Sequence, residues 1–207
     1  RKILLAAIAT LRQDGAAGVV GGERTAGVPA PAAVPGHEVE RRHLTVMFVD
    51  LADSTALSTS HDAEDVLQVL RHYQDGASTA IRRQGGFLAK YMGDGILAYF
   101  GYPRAREDAA ERAVHAALDV IASIQAMPAL PGHKLAVRIA IASGPVIVGD
   151  VVGEEMAREI NVVGETPNLA ARLLAVAPVD GLVISDMTRR LLGDLFDYRD
   201  LGPQTFK

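Results

Sequence analysis

Two carboxylates in the sequence could bind a metal ion, one near the end of a predicted strand and one in a predicted turn. Asp50 lies near the end of the apolar run LTVMFVDL, 44–51, and Asp94 lies in the Gly-Asp-Gly motif, 93–95, whose apolar flanks predict a β-hairpin. Both have a conformational alternative, because a strand-end Asp can cap the following turn and Asp-Gly favours tight hairpins. If the first strand pairs with the hairpin, the two carboxylates converge, and such a pair suits Mg²⁺ or Mn²⁺.

Basic and amide side chains in other segments could bind an anion. Lys90 lies in the predicted strand before the turn, where a solvated edge lysine is the alternative. Arg138 interrupts the apolar run LAVRIAIA, which favours a buried or cleft-facing side chain that contacts anionic oxygens. Asn168 and Arg172 are four residues apart near the start of a predicted helix, so they share a face. Backbone N–H groups at a helix start favour an anion, although a solvated polar stripe is the alternative.

A chain of 207 residues is long enough to form one good-sized domain with a buried core. It is 49% hydrophobic and contains no cysteine, which excludes a disulfide framework and a thiolate metal site. A formal net charge of −4 argues against binding to nucleic acid or to an anionic membrane. The apolar stretch 3–11 is shorter than the roughly 20 residues that span a bilayer. Since the chain also opens without Met, we expect a cytoplasmic piece of a longer protein.

Three segments of different composition divide the chain. Apolar spacing over residues 1–13 predicts a helix, which we interpret as the end of a preceding domain. Residues 14–40 are rich in Gly, Ala and Pro and predict a linker, because such a stretch buries too little apolar surface to order itself. Residues 41–207 then form the main domain.

Periodicity within the main domain predicts alternating strands and helices. In chain order these are a strand over 44–51, a helix from about 62 that Gly85 and Gly86 stop, a hairpin over 87–100, a helix over 107–125, a hairpin over 135–152 that turns at Ser143-Gly144-Pro145, a helix capped by Thr166, and a last strand, helix and strand over 182–201. This β-α-β-β-α-β order with appended elements predicts an α+β fold of the ferredoxin-like kind, with helices packed on an antiparallel sheet.

Four motifs together resemble the signatures of class III nucleotidyl cyclases in order and spacing. They are FVDLADST (48–55), KYMGDG (90–95), VRIAIASGPVIVGDVVG (137–153) and VVGETPNLAARL (162–173). The resemblance covers residues 41–207 and is closest to the bacterial branch that is similar to soluble, bicarbonate-responsive adenylyl cyclases. Residues 1–13 resemble the closing helix of a sterile-alpha-motif domain.

The resemblance implies an adenylyl cyclase that closes ATP into cyclic AMP. Asp50, Asp94 and the Leu51 carbonyl would hold two divalent ions, Mg²⁺ or Mn²⁺, which assist attack of the ribose 3′-hydroxyl on the α-phosphate. The other matching positions are the phosphate-wrapping turn of Ala52, Asp53, Ser54 and Thr55, the phosphate-binding Arg138 and Lys207, the catalytic Arg172 at the α-phosphate, Asn168 at the ribose, and Lys90 with Asn161 at the base.

Two positions depart from the family pattern. Asn161 replaces the usual Asp, Thr or Ser, although its amide oxygen could still accept a hydrogen bond from the adenine amino group. Asp53 stands where the turn normally carries Gly, and an extra carboxylate beside a triphosphate is repulsive. These departures keep open an alternative, a catalytically weak or silent module that dimerises or senses a nucleotide. A diguanylate cyclase is disfavoured because the chain has no GGDEF-type turn.

The resemblance also implies an oligomer. The metal and base residues fall on one half of the domain, while Asn168 and Arg172 fall on another. In this family the two sets meet only across a head-to-tail homodimer with two shared active sites. We therefore expect a homodimer, with other domains of a longer chain as further partners.

Overall fold

The computed structural model describes residues 3–6, 40–128, 134–152 and 158–204, which build one sheet with helices on it. The strands are β1 (Ile3–Ala6), β2 (Glu40–Leu51), β3 (Phe87–Met92), β4 (Gly95–Phe100), β5 (Val137–Val152), β6 (Arg158–Val163), β7 (Gly181–Ile184) and β8 (Asp197–Asp200). The helices are α1 (Ser54–Ser60), α2 (Ala63–Arg83), α3 (Ala109–Gln125), α4 (Glu165–Leu174) and α5 (Asp186–Leu192).

The predicted ferredoxin-like core is confirmed as β2-α2-β3-β4-α3-β5. The strand order is β3-β4-β2-β5-β7-β1-β8, and β6 pairs with β5. The central strand β2 is antiparallel to both β4 and β5, whereas the β5–β7, β7–β1 and β1–β8 pairs are parallel. The antiparallel prediction therefore holds for the core and for β6, and it fails for β7, β1 and β8.

The two faces of the sheet bury different clusters. On one face α2 and α3 cover β2, β4 and β5, with Tyr73, Ala77 and Ile81 of α2 fully buried. On the other face α4 packs against a second cluster drawn from the same strands. Leu67, also on α2, is 50% exposed although it is apolar. Within the described ranges, no helix is long and apolar enough to cross a membrane.

The predicted turn at Ser143-Gly144-Pro145 is wrong, because β5 runs straight through it. Gly144 and Pro145 pair with Leu44 and His43 of β2 inside the ladder. Gly144 instead allows Thr166 to approach the strand closely, because a Cβ at position 144 would lie only 2.6 Å from the Thr166 hydroxyl oxygen. That hydroxyl donates to the Pro145 carbonyl at 3.0 Å. Thr166 is not the helix cap, because it lies inside α4 and Gly164 occupies the cap position.

α4 begins earlier than predicted. Its first helical residue is Glu165, and the residue before it is Gly164, whose φ of 142° favours glycine.

The helix predicted over residues 1–13 is wrong for the part that the structure describes. Ile3–Ala6 forms β1, a strand that pairs with β7 on one side and β8 on the other. A short apolar run fits a helix or a buried strand equally well by its periodicity, and here pairing with two strands decides. The rest of 1–13, residues 14–39 and Lys207 lie outside the described residues. The proposed boundaries at 13 and 40 stay predictions.

Candidate active site

A cleft lies at the end of β2, where α1, the β3–β4 turn and the start of β5 meet. The residues that line it are Asp50, Leu51, Asp53, Ser54, Thr55, Ala56, Thr59, Asp94 and Arg138. Most of the residues expected to contact metal and phosphate thus lie around one opening. Thr59 and Ala56, in α1, were not anticipated from the sequence.

Strand register brings Asp50 and Asp94 to this cleft. Asp50 pairs with Gly95 of β4, and Asp94 immediately precedes that glycine in the β3–β4 turn. Gly93 has φ of 65°, a left-handed conformation that lets the turn close tightly. The expected convergence of the two carboxylates is therefore present, while their role as metal ligands stays a prediction.

Arg138 lies directly opposite Asp50 on the other side of β2. The two residues are partners in the β2–β5 ladder, so their side chains leave the same face of the sheet. Arg138 is half-buried and lines the cleft with both carboxylates. Among the described residues that line the cleft, it is the only arginine or lysine. Its positive charge suits a site for anionic oxygens.

The electrostatics of the cleft favour a bound cation. Burial raises the pKa of Asp50, the charge of Asp94 raises it further, and Arg138 opposes both effects. A carboxylate whose ionisation is disfavoured by burial and by a neighbouring carboxylate is stabilised by a nearby cation. No cluster of three or more Asp, Glu, His or Cys side chains in the described ranges forms a complete cage. The donor set thus fits Mg²⁺ or Mn²⁺, which bind one or two carboxylates and complete their shell with water and phosphate oxygens.

The turn after β2 differs from the predicted phosphate wrap at Ala52. The Ala52 N–H already donates to the Ala136 carbonyl at 2.8 Å, and Ala52 does not line the cleft. The β2–β5 pairing thus extends one residue beyond the strand and occupies this N–H, and the predicted contact of Ala52 with phosphate stays a prediction. Asp53, Ser54 and Thr55 do line the cleft.

Asp53 adopts a left-handed conformation, with φ of 58° and ψ of 26°, just before α1. Asp tolerates this region better than most residues, yet Gly adopts it without strain. The backbone therefore explains why a glycine suits this position. The Asp53 side chain is exposed.

The two residues predicted at the base lie on different strands. Lys90 is exposed on β3, opposite Leu97, after a bulge between Leu88 and Lys90 that the sequence did not predict. It does not line the Asp50 cleft, although it lies on the strand that leads into the Asp94 turn, and its predicted role at the base stays a prediction. The backbone of Asn161 pairs with Gly149 of β5, and its side chain lies outside the described residues.

Asn168 and Arg172 lie apart from the cleft in the same chain. Both are exposed on α4, whose buried face, with Ala170 and Leu173, packs against the sheet. Neither residue lines the opening at Asp50 and Asp94. One chain therefore presents the predicted catalytic residues in two separate places.

Two residues near the cleft were missed as functional candidates. The side-chain amide of Gln74 donates to the Gly93 carbonyl at 3.0 Å. Tyr73, on α2, has a buried hydroxyl, and burial raises its pKa, with smaller contributions from the charges of Asp50 and Asp94. The sequence carries no signal that separates these two from ordinary residues of an amphipathic helix.

Two proteins of known sequence contain a segment that is similar to this chain. An uncharacterized protein of Mycobacterium tuberculosis is 36% identical over 141 residues, and one of Rhizobium meliloti is 30% identical over 169. These matches cover 67% and 81% of this chain but only 24% and 16% of the relatives. The chain thus spans a quarter or less of their length.

Solved cyclase structures share the fold. A rhodopsin-guanylyl cyclase core with converted specificity, in complex with ATPαS, gives a TM-score of 0.71 at 29% identity over 77% of this chain and 86% of that one. The guanylate cyclase domain from Catenaria anguillulae with GTP gives 0.69 at 28% over 75% and 85%, and the adenylyl cyclase CyaB from P. aeruginosa gives 0.66 at 27% over 76% and 84%. The profile of the adenylate and guanylate cyclase catalytic domain matches residues 38–207. The chain therefore belongs to this family, the class III nucleotidyl cyclases.

Proposed function

We propose that residues 41–207 form an adenylyl cyclase, which converts ATP into 3′,5′-cyclic AMP and pyrophosphate in cyclic-nucleotide signalling. The observation that carries the proposal is the pair of carboxylates, Asp50 and Asp94, beside Arg138 in one cleft of a class III cyclase fold. ATP as substrate is consistent with a cytoplasmic location. Regulatory input would come from other domains of a longer chain.

Asp50, Asp94 and the Leu51 carbonyl would hold two divalent ions, Mg²⁺ or Mn²⁺. When bound, the ions would supply activation of the ribose 3′-hydroxyl and neutralisation of the leaving pyrophosphate. Arg138 would bind the β- and γ-phosphates, as would Lys207. Asp53, Ser54 and Thr55 would lie around the triphosphate at the start of α1.

The remaining roles would need a second chain. Arg172 would neutralise the charge that grows on the α-phosphate, and Asn168 would orient the ribose. Because neither lines the cleft of its own chain, a head-to-tail homodimer is the arrangement that would bring them to the carboxylates of the partner. Such a dimer would contain two equivalent shared sites.

Selection of ATP over GTP is proposed from Lys90 and Asn161. Lys90 would donate to the ring nitrogen N1 of adenine, which accepts, whereas N1 of guanine carries a hydrogen. The Asn161 amide oxygen would accept from the adenine amino group. The solved relatives include complexes with ATPαS and with GTP, so the fold does not decide between the two nucleotides.

The test is to incubate the purified chain with ATP or GTP and Mg²⁺ or Mn²⁺, and to quantify cyclic products by chromatography. We expect cyclic AMP in clear excess, and a smaller excess for Lys90→Met. Equal use of both nucleotides, or a preference for GTP, would contradict the adenylyl assignment.

A second candidate function is a catalytically weak or silent module that dimerises and binds nucleotide. Asp53 favours it, because this carboxylate lines the cleft in which the triphosphate would lie. This function predicts that ATP binds in the presence of Mn²⁺ without product formation. Calorimetry in parallel with the product assay separates the two functions.

A further inference from the structure

A hydrogen bond joins α2 to the turn that carries Asp94. The side-chain amide of Gln74 donates to the carbonyl of Gly93 at 3.0 Å, from a position 19 residues earlier in the chain. The direction of this bond is fixed by chemistry, because a backbone carbonyl only accepts and an amide nitrogen only donates. Asp94 directly follows Gly93, so the contact reaches the chain immediately before a proposed metal ligand.

The neighbours of Gln74 on α2 hold it in a fixed place. Tyr73 and Ala77 are 0% exposed and belong to the cluster that packs between α2 and the sheet. Gln74 itself is half-buried. The position of the helix is therefore set by the core and does not depend on the turn, so the Gln74 amide can act on the turn from a rigid element.

The turn has the backbone signs of one of two related forms. Gly93 and Asp94 are its two central residues, between the last paired residues of β3 and β4. Gly93 has a positive φ, 65°, and Asp94 does not have one. These signs are those of a type II′ turn, whereas a type I′ turn has positive φ at both central residues.

Rotation of the peptide group between Gly93 and Asp94 interconverts the two forms. The Gly93 carbonyl and the Asp94 N–H belong to that one planar group, so they turn over together and the φ of Asp94 changes sign. The flipped form is open to this sequence, because Asp tolerates positive φ better than most residues do, as Asp53 shows with φ of 58°. A flip would redirect the Asp94 side chain relative to Asp50.

We propose that Gln74 is a positioning residue for the metal site: by holding the Gly93 carbonyl, its amide keeps the turn in the form in which Asp94 lines the cleft with Asp50. Gln74 acts through the backbone and is not itself a metal ligand. The inference rests on the metal site proposed above. Without the amide the flipped form gains population, and metal affinity falls with the fraction of chains that keep the competent form.

The first test compares Gln74→Met, which removes the amide but keeps the length of the side chain, with Gln84→Met. Gln84 lies at the end of the same helix, and its amide bonds Asp119 at 2.9 Å, outside the cleft. Mn²⁺ affinity of the full chain is measured without nucleotide, from the EPR signal of free Mn²⁺. We expect Gln74→Met to weaken Mn²⁺ binding roughly three- to tenfold, the range that one ordinary hydrogen bond supports, and Gln84→Met to leave it unchanged.

A second measurement follows the turn itself in the metal-free chain. In EDTA, the nuclear Overhauser effect between the Gly93 Hα and the Asp94 N–H is strong in a type II′ turn, whereas the effect between the two N–H protons strengthens in a type I′ turn. We expect the ratio to shift toward the second contact in Gln74→Met and to stay unchanged in Gln84→Met. An unchanged ratio in Gln74→Met would contradict the proposed role of the amide, whatever the variant does to stability.

Gln74→Asn keeps the test decisive if Gln74→Met does not fold. This variant retains an amide but is one methylene shorter, so it is too short to reach Gly93 from the same helix position, and it should weaken Mn²⁺ binding as well. Position-74 variants that bind Mn²⁺ as tightly as the unchanged chain would overturn the inference and leave the metal site standing. Mn²⁺ binding that Asp94→Asn does not weaken would overturn the proposed metal site, and this inference with it.

Discussion

The cleft at the end of β2 and the exposed face of α4 carry the two halves of the predicted site, and they differ in how the fold builds them. Strand register brings Asp50, Asp94 and Arg138 together, half-buried and close enough to shift the pKa of Asp50. Asn168 and Arg172 project from a helix surface and line no part of that cleft. The first half is assembled within one chain, and we expect the second to act only against another surface.

The two halves also differ in how much electrostatic repulsion and backbone strain they contain. The cleft combines a carboxylate of raised pKa with a non-glycine residue, Asp53, in a left-handed conformation. Such features concentrate where a ligand relieves them. α4 has an ordinary amphipathic arrangement, with its apolar side on the sheet and its polar side exposed. We therefore expect the cleft to bind metal and phosphate and α4 to supply its groups to a partner.

The largest expected effects are losses of cyclase activity. Both halves of the site should show them, but only a change in the cleft should also weaken metal binding. Asp94→Asn should lower cyclase activity by at least about 100-fold and should also weaken Mn²⁺ binding, because it removes a metal ligand. Arg172→Ala should lower kcat by about 100–1,000-fold with unchanged Mn²⁺ affinity, because it removes charge stabilisation at the α-phosphate. Product assays and Mn²⁺ titrations on both variants check this. Weaker Mn²⁺ binding in Arg172→Ala would contradict the division into two halves.

A smaller effect is expected from Asp53→Gly. Two unit charges at a separation on the order of 7 Å interact by about 0.6 kcal/mol in water, so loss of the Asp53 charge should lower KM for ATP about threefold. Asp53→Asn is the control, because Asn tolerates the same left-handed conformation without the charge. If charge is the cause, both variants lower KM alike. An unchanged KM in both would remove the idea of repulsion.

The smallest effect concerns the stability of the metal-free chain. Because burial and Asp94 raise the pKa of Asp50, the folded state disfavours the ionised carboxylate. Stability from this group is therefore fully present below the ordinary pKa of 3.8 and is lost as pH rises through the raised value. Asp50→Asn should raise the melting temperature in EDTA at pH 7, and the gain should shrink as the pH is lowered. A gain that is independent of pH would point to another cause.

The parts of the fold that were predictable carry strong local signals. β2, the Gly-Asp-Gly hairpin and α2 each have one periodicity and a clear stop, and their order leaves few ways to pair. Those three elements are sufficient to bring Asp50 beside Asp94. The convergence of the two carboxylates was therefore predictable from the sequence.

The features that could not be predicted depend on contacts between distant segments. Ser143-Gly144-Pro145 has the composition of a turn, yet Gly144 accommodates Thr166 of α4 within a continuous strand. β1 is a strand because β7 and β8 lie beside it, which a short apolar run does not reveal. The Lys90 bulge and the unpartnered Tyr73 hydroxyl likewise have no signature in their own segments.

The measurement that tests the division of the site most directly is a mixing experiment with Asp50→Ala and Arg172→Ala chains. In a head-to-tail dimer, a mixed pair keeps one site intact and loses both groups from the other. Since half of the dimers in an equal mixture are mixed, we expect activity to recover to about a quarter of that of the unchanged chain. A mixture that stays as inactive as each variant alone, although both chains are folded and exchange subunits, would contradict a site shared between two copies.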